Sequence, residues 1–429
     1  MSVDVKTPLD RYSEAVKLHQ AGQLAEAETI YRGLLEELPN DRAVLNVLAT
    51  LLAQCRHRHA DDGAALLRRA VEIPPDFAEA ALNLGNAFLS LRDLDQAIAS
   101  YRRAIAARPD YALAHWNLAL ALLADGRYSE GWREYEWRWR WLEFGEAARQ
   151  FAVPEWRGEN PEMVGGKLLI TAEQGLGDTI QFCRYLPLLA RRGHQIIAEV
   201  QRPLHTLLWF SFAREGIAVI PRGETPQHIE GDLAFAAHAP LGSLPLLLGT
   251  EFENIPSEVP YLSADPERVR RWRGRLKGGY RVGIAWAGRG QHRHDRERSI
   301  ELESLAPLAA VPGVRLYSLQ KGFAERAIAA TGLPVEPLGE ELVDMAETAA
   351  VMMVLDLIVT VDTAVAHLAG ALARRAWVLV PSVPDWRWFD RRADSPWYPT
   401  LRLYRQDASG EWDTVIANMT DDLRMVASH

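Results

Sequence analysis

The stretch 78–110, AEAALNLGNAFLSLRDLDQAIASYRRAIAARPD, recurs along the first third of the chain with a period of 34 residues. Leu84 falls on Leu118, Phe88 on Leu122, Ala97 on Gly131 and Tyr101 on Tyr135. In the other direction Ala27, Tyr31 and Pro39 answer Ala97, Tyr101 and Pro109. A middle copy with Leu67, Ala70 and Pro75 differs in length near CRHRHADDG. A fixed period of this size requires each copy to be one supersecondary unit, which buries its apolar face only by stacking on the next. Small Ala27, Gly85 and Ala97 predict helices that approach closely. Pro39, Pro75 and Pro109 predict the end of each second helix, because proline cannot continue one.

The pattern resembles the tetratricopeptide (TPR) family over roughly residues 10–141. That resemblance implies stacked helical hairpins with a concave surface that holds a peptide or protein segment. The alternative is an array that only braces its neighbour. After Tyr135 the last copy degenerates into EWRWRWLEFG. At helical spacing Trp132, Tyr135 and Trp139 share one face, and Trp137 and Trp141 another. Interleaved Arg and Trp suit base stacking. A terminal repeat must also cover its own apolar face, so docking of these rings on the following domain is the expectation.

The net charge of −9 argues against a nucleic-acid binder, which needs a basic face. Cys55 and Cys183 are the two cysteines, too few for a disulfide framework or a cysteine-rich zinc site, and a reducing compartment fits. The segment MSVDVKTPLD has no apolar core of a signal peptide. No apolar run approaches the roughly 18 residues of a membrane span. A cytoplasmic protein is expected.

From 142 to 166 the sequence reads as a linker, with Pro154, Pro161 and paired glycines. Beyond it, short apolar runs alternate with helical patterns: KLLITAE, DTIQFCRYLPLLARRG, QIIAEV, PLHTLLWF and IAVIP, then a second series from YRVGIAWAG to AWVLVP. Such alternation predicts two parallel sheets, hence two Rossmann-like domains. Residues 232–269 read as a loop-rich crossover between them, and the final helix, DTVIANMTDDLRMVAS, as one that returns to the first sheet domain. The fold class is an α-helical array followed by α/β.

Ligands of open parallel sheets sit at the carboxyl ends of strands. The first such end, TAEQGLGDTIQF, is neither a P-loop nor a dinucleotide fingerprint. Gly175 and Gly177 permit a tight turn and close approach of a ligand. Asp178 at the helix start is either a cap or a reactive carboxylate. In WAGRGQHRHDRERSI, after Trp286, the spacing of His292, His294 and Asp295 is weak for a metal. A basic loop with Arg296 and Arg298 that grasps an anion is the stronger expectation. Gln320 and Lys321 are candidates for a base or ribose and a phosphate, or else form a surface turn. In TVDTAVAHLAG a strand runs into Asp362-Thr363-Ala364 and a helix, whose free N–H groups suit an anion, with His367 one turn on. Asp362 or Thr363 as caps and His367 as a core residue are the alternatives. Trp386, Trp388, Trp397 and Tyr398 form either a platform for acceptor or base or the packing that seals a cleft. The one DxD pair, Asp93-Leu94-Asp95, lies in the repeats, so metal-bound sugar-nucleotide chemistry of that kind is not expected.

AEQGLGDTIQFCRYLPLL followed by DLIVTVDTAVAHLAGAL resembles the heptosyltransferase-type family of GT-B glycosyltransferases over about residues 165–410. The motif residues in order are Gly177, Asp178 and Pro187, then Asp362, Thr363, Ala364 and His367. Repeats followed by such a half also resemble, loosely, bacterial relatives of the protein O-GlcNAc transferases. The resemblance implies a GT-B fold: a repeat domain (1–141), the linker (142–166), an acceptor domain (167–265) and a donor domain (266–429). It implies inverting transfer with no metal and no cofactor, from a nucleotide sugar whose diphosphate lies at the helix after Thr363. Asp178 is then the general base. Lys321, Arg298, the helix N-terminus and His367 meet the phosphate charge, and Gly175, Gly177 and Trp286 line the cleft. The repeats point to a protein acceptor, such as the abundant surface protein flagellin. The repeats and the loop RGQHRHDRERSI depart from the lipopolysaccharide enzymes. The competing expectation is a repeat scaffold whose GT-B half binds a nucleotide without turnover.

Overall fold

The computed structural model describes residues 6–54, 60–73, 77–141, 149–223, 234–288, 298–407 and 410–428. Cys55, Pro75 and the loop residues His292, His294, Asp295 and Arg296 lie outside the described residues. The chain divides into two units, Met1–Gly145 and Glu146–His429.

Unit one consists of antiparallel helical hairpins: α1 (Pro8–Gln20) with α2 (Leu24–Glu37), α3 (Arg42–Gln54) with α4 (Ala60–Glu72), α5 (Ala78–Ser90) with α6 (Leu94–Ala107), and α7 (Ala112–Ala124) with α8 (Tyr128–Tyr135). Pro8 and a Thr7–Asp10 capping box start α1. Asp93, half of the DxD pair, caps α6 by accepting from Gln96 N–H (3.1 Å). The turns inside three hairpins use one left-handed residue at the same repeat position: Gly22 (φ 78°), Arg92 (φ 61°) and Gly126 (φ 83°). The small residues sit where helices cross. A Cβ on Gly85 would stand 2.3 Å from Tyr101 Cε1, and one on Gly131 2.9 Å from Leu123 Cγ.

After Tyr135 the chain makes one tight 3₁₀ turn, Glu136–Arg140, which folds back on its own repeat. Trp137 stacks on His115 with centroids 3.7 Å apart, and Trp141 stacks on Trp116 at 5.7 Å. The interleaved arginines serve the same rings: Arg138 lies over Trp139 (4.7 Å) and Arg140 over Trp137 (4.5 Å). These cation–π pairs give the Arg-Trp alternation an internal use.

Unit two holds two parallel sheets. The first has the order β3-β2-β1-β4, with β1 Leu168–Thr171, β2 Ile196–Val200, β3 Ala218–Pro221 and β4 Ala237–Pro240. The second has the order β10-β9-β8-β5-β6-β7, with β5 Tyr280–Ala285, β6 Val314–Ser318, β7 Val335–Pro337, β8 Leu357–Val361, β9 Ala376–Val380 and β10 Leu401–Arg405. Strands β2, β8 and β9 are buried along their whole length, as the unbroken apolar runs of parallel strands require. Chain order reverses beside β1 in the first sheet and between β5 and β8 in the second. Those are the switch points where open α/β sheets leave a crevice.

Three expectations are corrected, and the segment read as a linker makes contacts of its own. The crossover 232–269 contains β4, whose Ala-His-Ala-Pro sequence lacks the β-branched residues that mark strands. The helix read from 178 is two helices, Leu176–Phe182 and Tyr185–Arg191, because Pro187 has no N–H for the Cys183 carbonyl. The final helix, Asp413–Ala427, packs Val415, Ile416, Met419 and Leu423 into the core of the second sheet and does not return to the first. The linker is docked from residue 149 on. Arg149 pairs with buried Glu199 (2.8 Å), and Trp156 N–H donates to the His238 carbonyl of β4 (2.7 Å).

Candidate functional site

The loop after β1 is braced from both sides. Buried Glu173 accepts from Gly242 N–H (3.1 Å), and Gln201 Nε2 donates to the Gln174 carbonyl (2.6 Å). The helix Leu176–Phe182 then starts with Gly175 as its cap, and Asp178 is its third residue. Asp178 Oδ2 accepts from Gly175 N–H (2.9 Å), which fixes one end of the carboxylate. Asp178 therefore serves as a helix-start acceptor with its second oxygen directed elsewhere.

That second oxygen meets a residue of the second sheet's loops. Arg387, in the turn Trp386–Trp388 after β9, donates from Nη2 to Asp178 Oδ1 (2.5 Å). Its Nη1 spans Asp385 Oδ1 and Oδ2 (2.9 and 3.2 Å), and its Nε donates to Gln181 Oε1. The guanidinium lies over Trp386 at 4.4 Å, and Arg387 is buried while its carboxylate partners Asp178 and Asp385 keep partial solvent exposure.

At the end of β8, Thr363 caps the helix Ala364–Ala371 by accepting from Val365 N–H (3.3 Å). Burial and the neighbouring Asp385 push the Asp362 carboxyl up to about 6, against the pull of Arg298. His367 is buried, shares a hydrogen bond with Tyr398 Oη (Nδ1, 2.9 Å) and stacks on Trp388 (5.5 Å). Burial first, then the charges of Arg387, Arg184 and Arg298, hold its pKa well below the ordinary imidazole range. Gly177 lies against its other edge: a Cβ on Gly177 would stand 2.8 Å from His367 Cδ2 and 3.7 Å from Ala364 Cα. Here the helix after β1 and the helix after β8 meet, and only a residue without a side chain leaves room.

Arg184, at the break between the two helices that follow β1, is a second cross-tie. It is 3% exposed and donates to the carbonyls of Pro256 and Trp397 (both 2.9 Å) and to Tyr261 Oη (3.0 Å). Tyr398 flanks it at 4.6 Å.

The structure thus brings together Gly175, Gly177, Asp178, Asp362, Thr363, Ala364 and His367, with Arg298 close enough to shift the last two titrating groups. Burial and the nearby arginine charges disfavour the protonated form of His367. Three other candidates make contacts within the second sheet's own part of the chain. Gln320 is 5% exposed, and its carboxamide bonds to Trp286 N, Ala287 N and the Ala287 carbonyl (3.0–3.1 Å). The Trp286 side chain belongs to the core of the second sheet and does not line a cleft. Exposed Lys321 donates to the Leu342 carbonyl. Sequence reasoning missed Arg387, Asp385, Arg184 and Gln181. The signal for Arg387 is an arginine set among tryptophans in the loop that follows a strand, in PDWRWFD.

In unit one, Asn83 and Asn117 recur at the same position of α5 and α7, and Asn46 of α3 stands one position earlier. Asn83 Nδ2 donates to Asn46 Oδ1 (2.8 Å), while Asn117 Nδ2 and Tyr101 Oη both donate to Asn86 Oδ1 (2.9 Å each). These half-buried amides form a polar column along one face of the array.

Comparison with known proteins matches residues 85–126 to the TPR repeat family. The N-terminal array is TPR-like, and the rest of the chain is a parallel-sheet α/β region. The chain is 28% identical over 440 residues to protein FlbA of Caulobacter vibrioides, across 96% of this chain and 72% of that one. Similar solved structures include a crystal structure of MamA (25% identity, TM-score 0.28, 30% of this chain and 70% of that one). They also include MamA from Desulfovibrio magneticus (17% identity, TM-score 0.30, 33% and 78%). A third is YrrB, described as a TPR protein with an unusual peptide-binding site (14% identity, TM-score 0.28, 30% and 66%).

Proposed function

We propose that this chain is a glycosyltransferase of GT-B architecture, which transfers a sugar from a nucleotide donor to a hydroxyl of a protein held by the repeats. The observation that carries the reading is the meeting of two switch points. Asp178, from the end of β1, stands by the helix that starts after Asp362-Thr363 at the end of β8, with Gly177 in contact distance of His367. In this reading the acceptor oxygen forms its bond to the anomeric carbon as Asp178 takes the hydroxyl proton. The bond from that carbon to the phosphate oxygen breaks, and its electron pair leaves with the phosphate. Configuration inverts. The N-terminus of the helix Ala364–Ala371, with Arg298 nearby, is suited to the negative charge that develops. No metal ion and no cofactor enter the scheme, as the heptosyltransferase resemblance implies.

The amide column of unit one supports the acceptor half of the proposal. Asparagine carboxamides offer both donor and acceptor and suit a bound main chain. A flagellin-like surface protein is one acceptor of this kind.

One observation favours the competing reading of a binding scaffold without turnover. Both oxygens of Asp178 already accept hydrogen bonds, from Gly175 and Arg387. The test is a screen of nucleotide sugars for thermal stabilisation of the full chain, followed by intact-mass measurement of co-expressed acceptor proteins with each stabilising donor. A mass increment of one sugar residue supports transfer. Stabilisation by a donor with no increment on any acceptor supports the scaffold.

A further inference from the structure

We infer that Arg387 is a positioning residue for Asp178, an inference that rests on the proposed transfer reaction. Each nitrogen of its guanidinium has a partner: Nε on Gln181 Oε1, Nη1 on both oxygens of Asp385, and Nη2 on Asp178 Oδ1 at 2.5 Å. Asp178 and Gln181 belong to the helix after β1, whereas Asp385 and Arg387 belong to the loop after β9. One side chain therefore fastens the carboxylate of one sheet's helix to a loop of the other. Asp385 locks the fork from behind, and the faces of Trp386 (4.4 Å) and Phe182 (5.7 Å) lie beside it.

The geometry at Asp178 is then determined at both ends. Gly175 N–H holds Oδ2 at 2.9 Å and Arg387 holds Oδ1, so rotation about Cβ–Cγ breaks one bond or the other. Each oxygen keeps a further lone pair, since a carboxylate oxygen accepts more than one hydrogen bond. A base held in this way meets the acceptor proton in one orientation, and such orientation is a large part of catalysis. Lysine cannot replace the fork. It carries the charge as a point on a flexible stem and cannot reach three acceptors in one plane.

The test uses the full chain with a donor and acceptor from the screen above. Arg387→Gln is expected to lower kcat about 100-fold with KM for the donor within about threefold, the signature of a misplaced catalytic group. Arg387→Lys restores part of that loss and serves as the working variant should Arg387→Gln fail to fold. The double variant Asp178→Asn with Arg387→Gln is expected to be no slower than Asp178→Asn alone, because Arg387 acts through Asp178. A double variant slower by the product of the two losses, or an effect confined to KM, overturns the inference. Should the wild-type chain transfer no sugar, the transfer reading fails on its own, and a double-mutant cycle on urea unfolding decides the hold. Coupling between positions 178 and 387 of about tenfold in the unfolding constant supports it, and additivity overturns it.

Discussion

The same substitution, glycine to alanine inside a repeat helix, should change stability in opposite directions at Gly33 and Gly85. At Gly33, within α2, an added Cβ meets nothing within 4 Å. The only effect is the better helix propensity of alanine, worth up to about 1 kcal/mol. At Gly85, within α5, the Cβ would stand 2.3, 2.5 and 2.9 Å from Tyr101 Cε1, Cδ1 and Cζ. Ordinary contact begins near 3.4 Å, so the ring must move by roughly 1 Å. Tyr101 is fully buried, and its hydroxyl donates to Asn86 Oδ1 at 2.9 Å. Overpacking costs about 1–3 kcal/mol, and a weakened buried hydrogen bond adds about 1 kcal/mol. Set against the same propensity gain, Gly85→Ala should destabilise by about 1–3 kcal/mol. Urea unfolding of the full chain followed by far-ultraviolet circular dichroism measures both variants. A stabilised Gly85→Ala, or a Gly33→Ala that loses as much stability as Gly85→Ala, would falsify the claim that these repeats cross at Gly85.

Three further substitutions follow from backbone and charge. Arg92 stands at φ 61° where the equivalent turns use Gly22 and Gly126. Arg92→Gly removes a left-handed strain of about 1–2 kcal/mol at an entropic cost of about 0.5–1 kcal/mol, so a small rise in the urea midpoint is expected; an unchanged or lower midpoint refutes the strain. Asp362 and His367 should give opposite pH dependences. Between its ordinary value of 3.8 and about 6, native Asp362 keeps a proton that the unfolded chain has lost, so its contribution to stability falls as pH rises. The folded pKa of His367 is lowered, so below 6.5 the native chain binds less proton there than the unfolded chain and its contribution rises with pH. The Asp362 slope is at most about 1.4 kcal/mol per pH unit, and over that window the two contributions oppose. Asp362→Asn should leave a stability that climbs from pH 4.5 to 6, and His367→Gln one that declines. Parallel profiles for both variants and wild type would show that neither group titrates as described.

The repeats were legible because stacking imposes a period, and a period survives in a single sequence. The sheets were legible because parallel strands are buried on both faces and read as short apolar runs. Asp178 and Thr363 were legible as well, since each directly follows or caps the element after a strand end. What a single sequence hides depends on distant partners. Arg387 reaches Asp178 across 209 positions, and its setting between Trp386 and Trp388 marks the residue without naming that partner. The burial of His367 and the charges of Arg387, Arg184 and Arg298, which disfavour its protonated form, come from other parts of the chain. The bracing of the Trp286 amide by Gln320 and the packing of the Trp286 ring into the second sheet's core also depend on distant partners. Strand β4 was missed because its apolar content is alanine and proline, and the break before Tyr185 because Pro187 acts on a carbonyl one turn behind it.

The most direct measurement is the rate of sugar transfer by Asp178→Asn, with donor affinity measured on the same sample. The substitution keeps the shape and the Gly175 contact of an amide oxygen but removes the base. Transfer should fall by about 10²–10⁴-fold while donor affinity stays within about threefold. Transfer at the wild-type rate would contradict the assignment of Asp178 as the base on which the proposed chemistry depends.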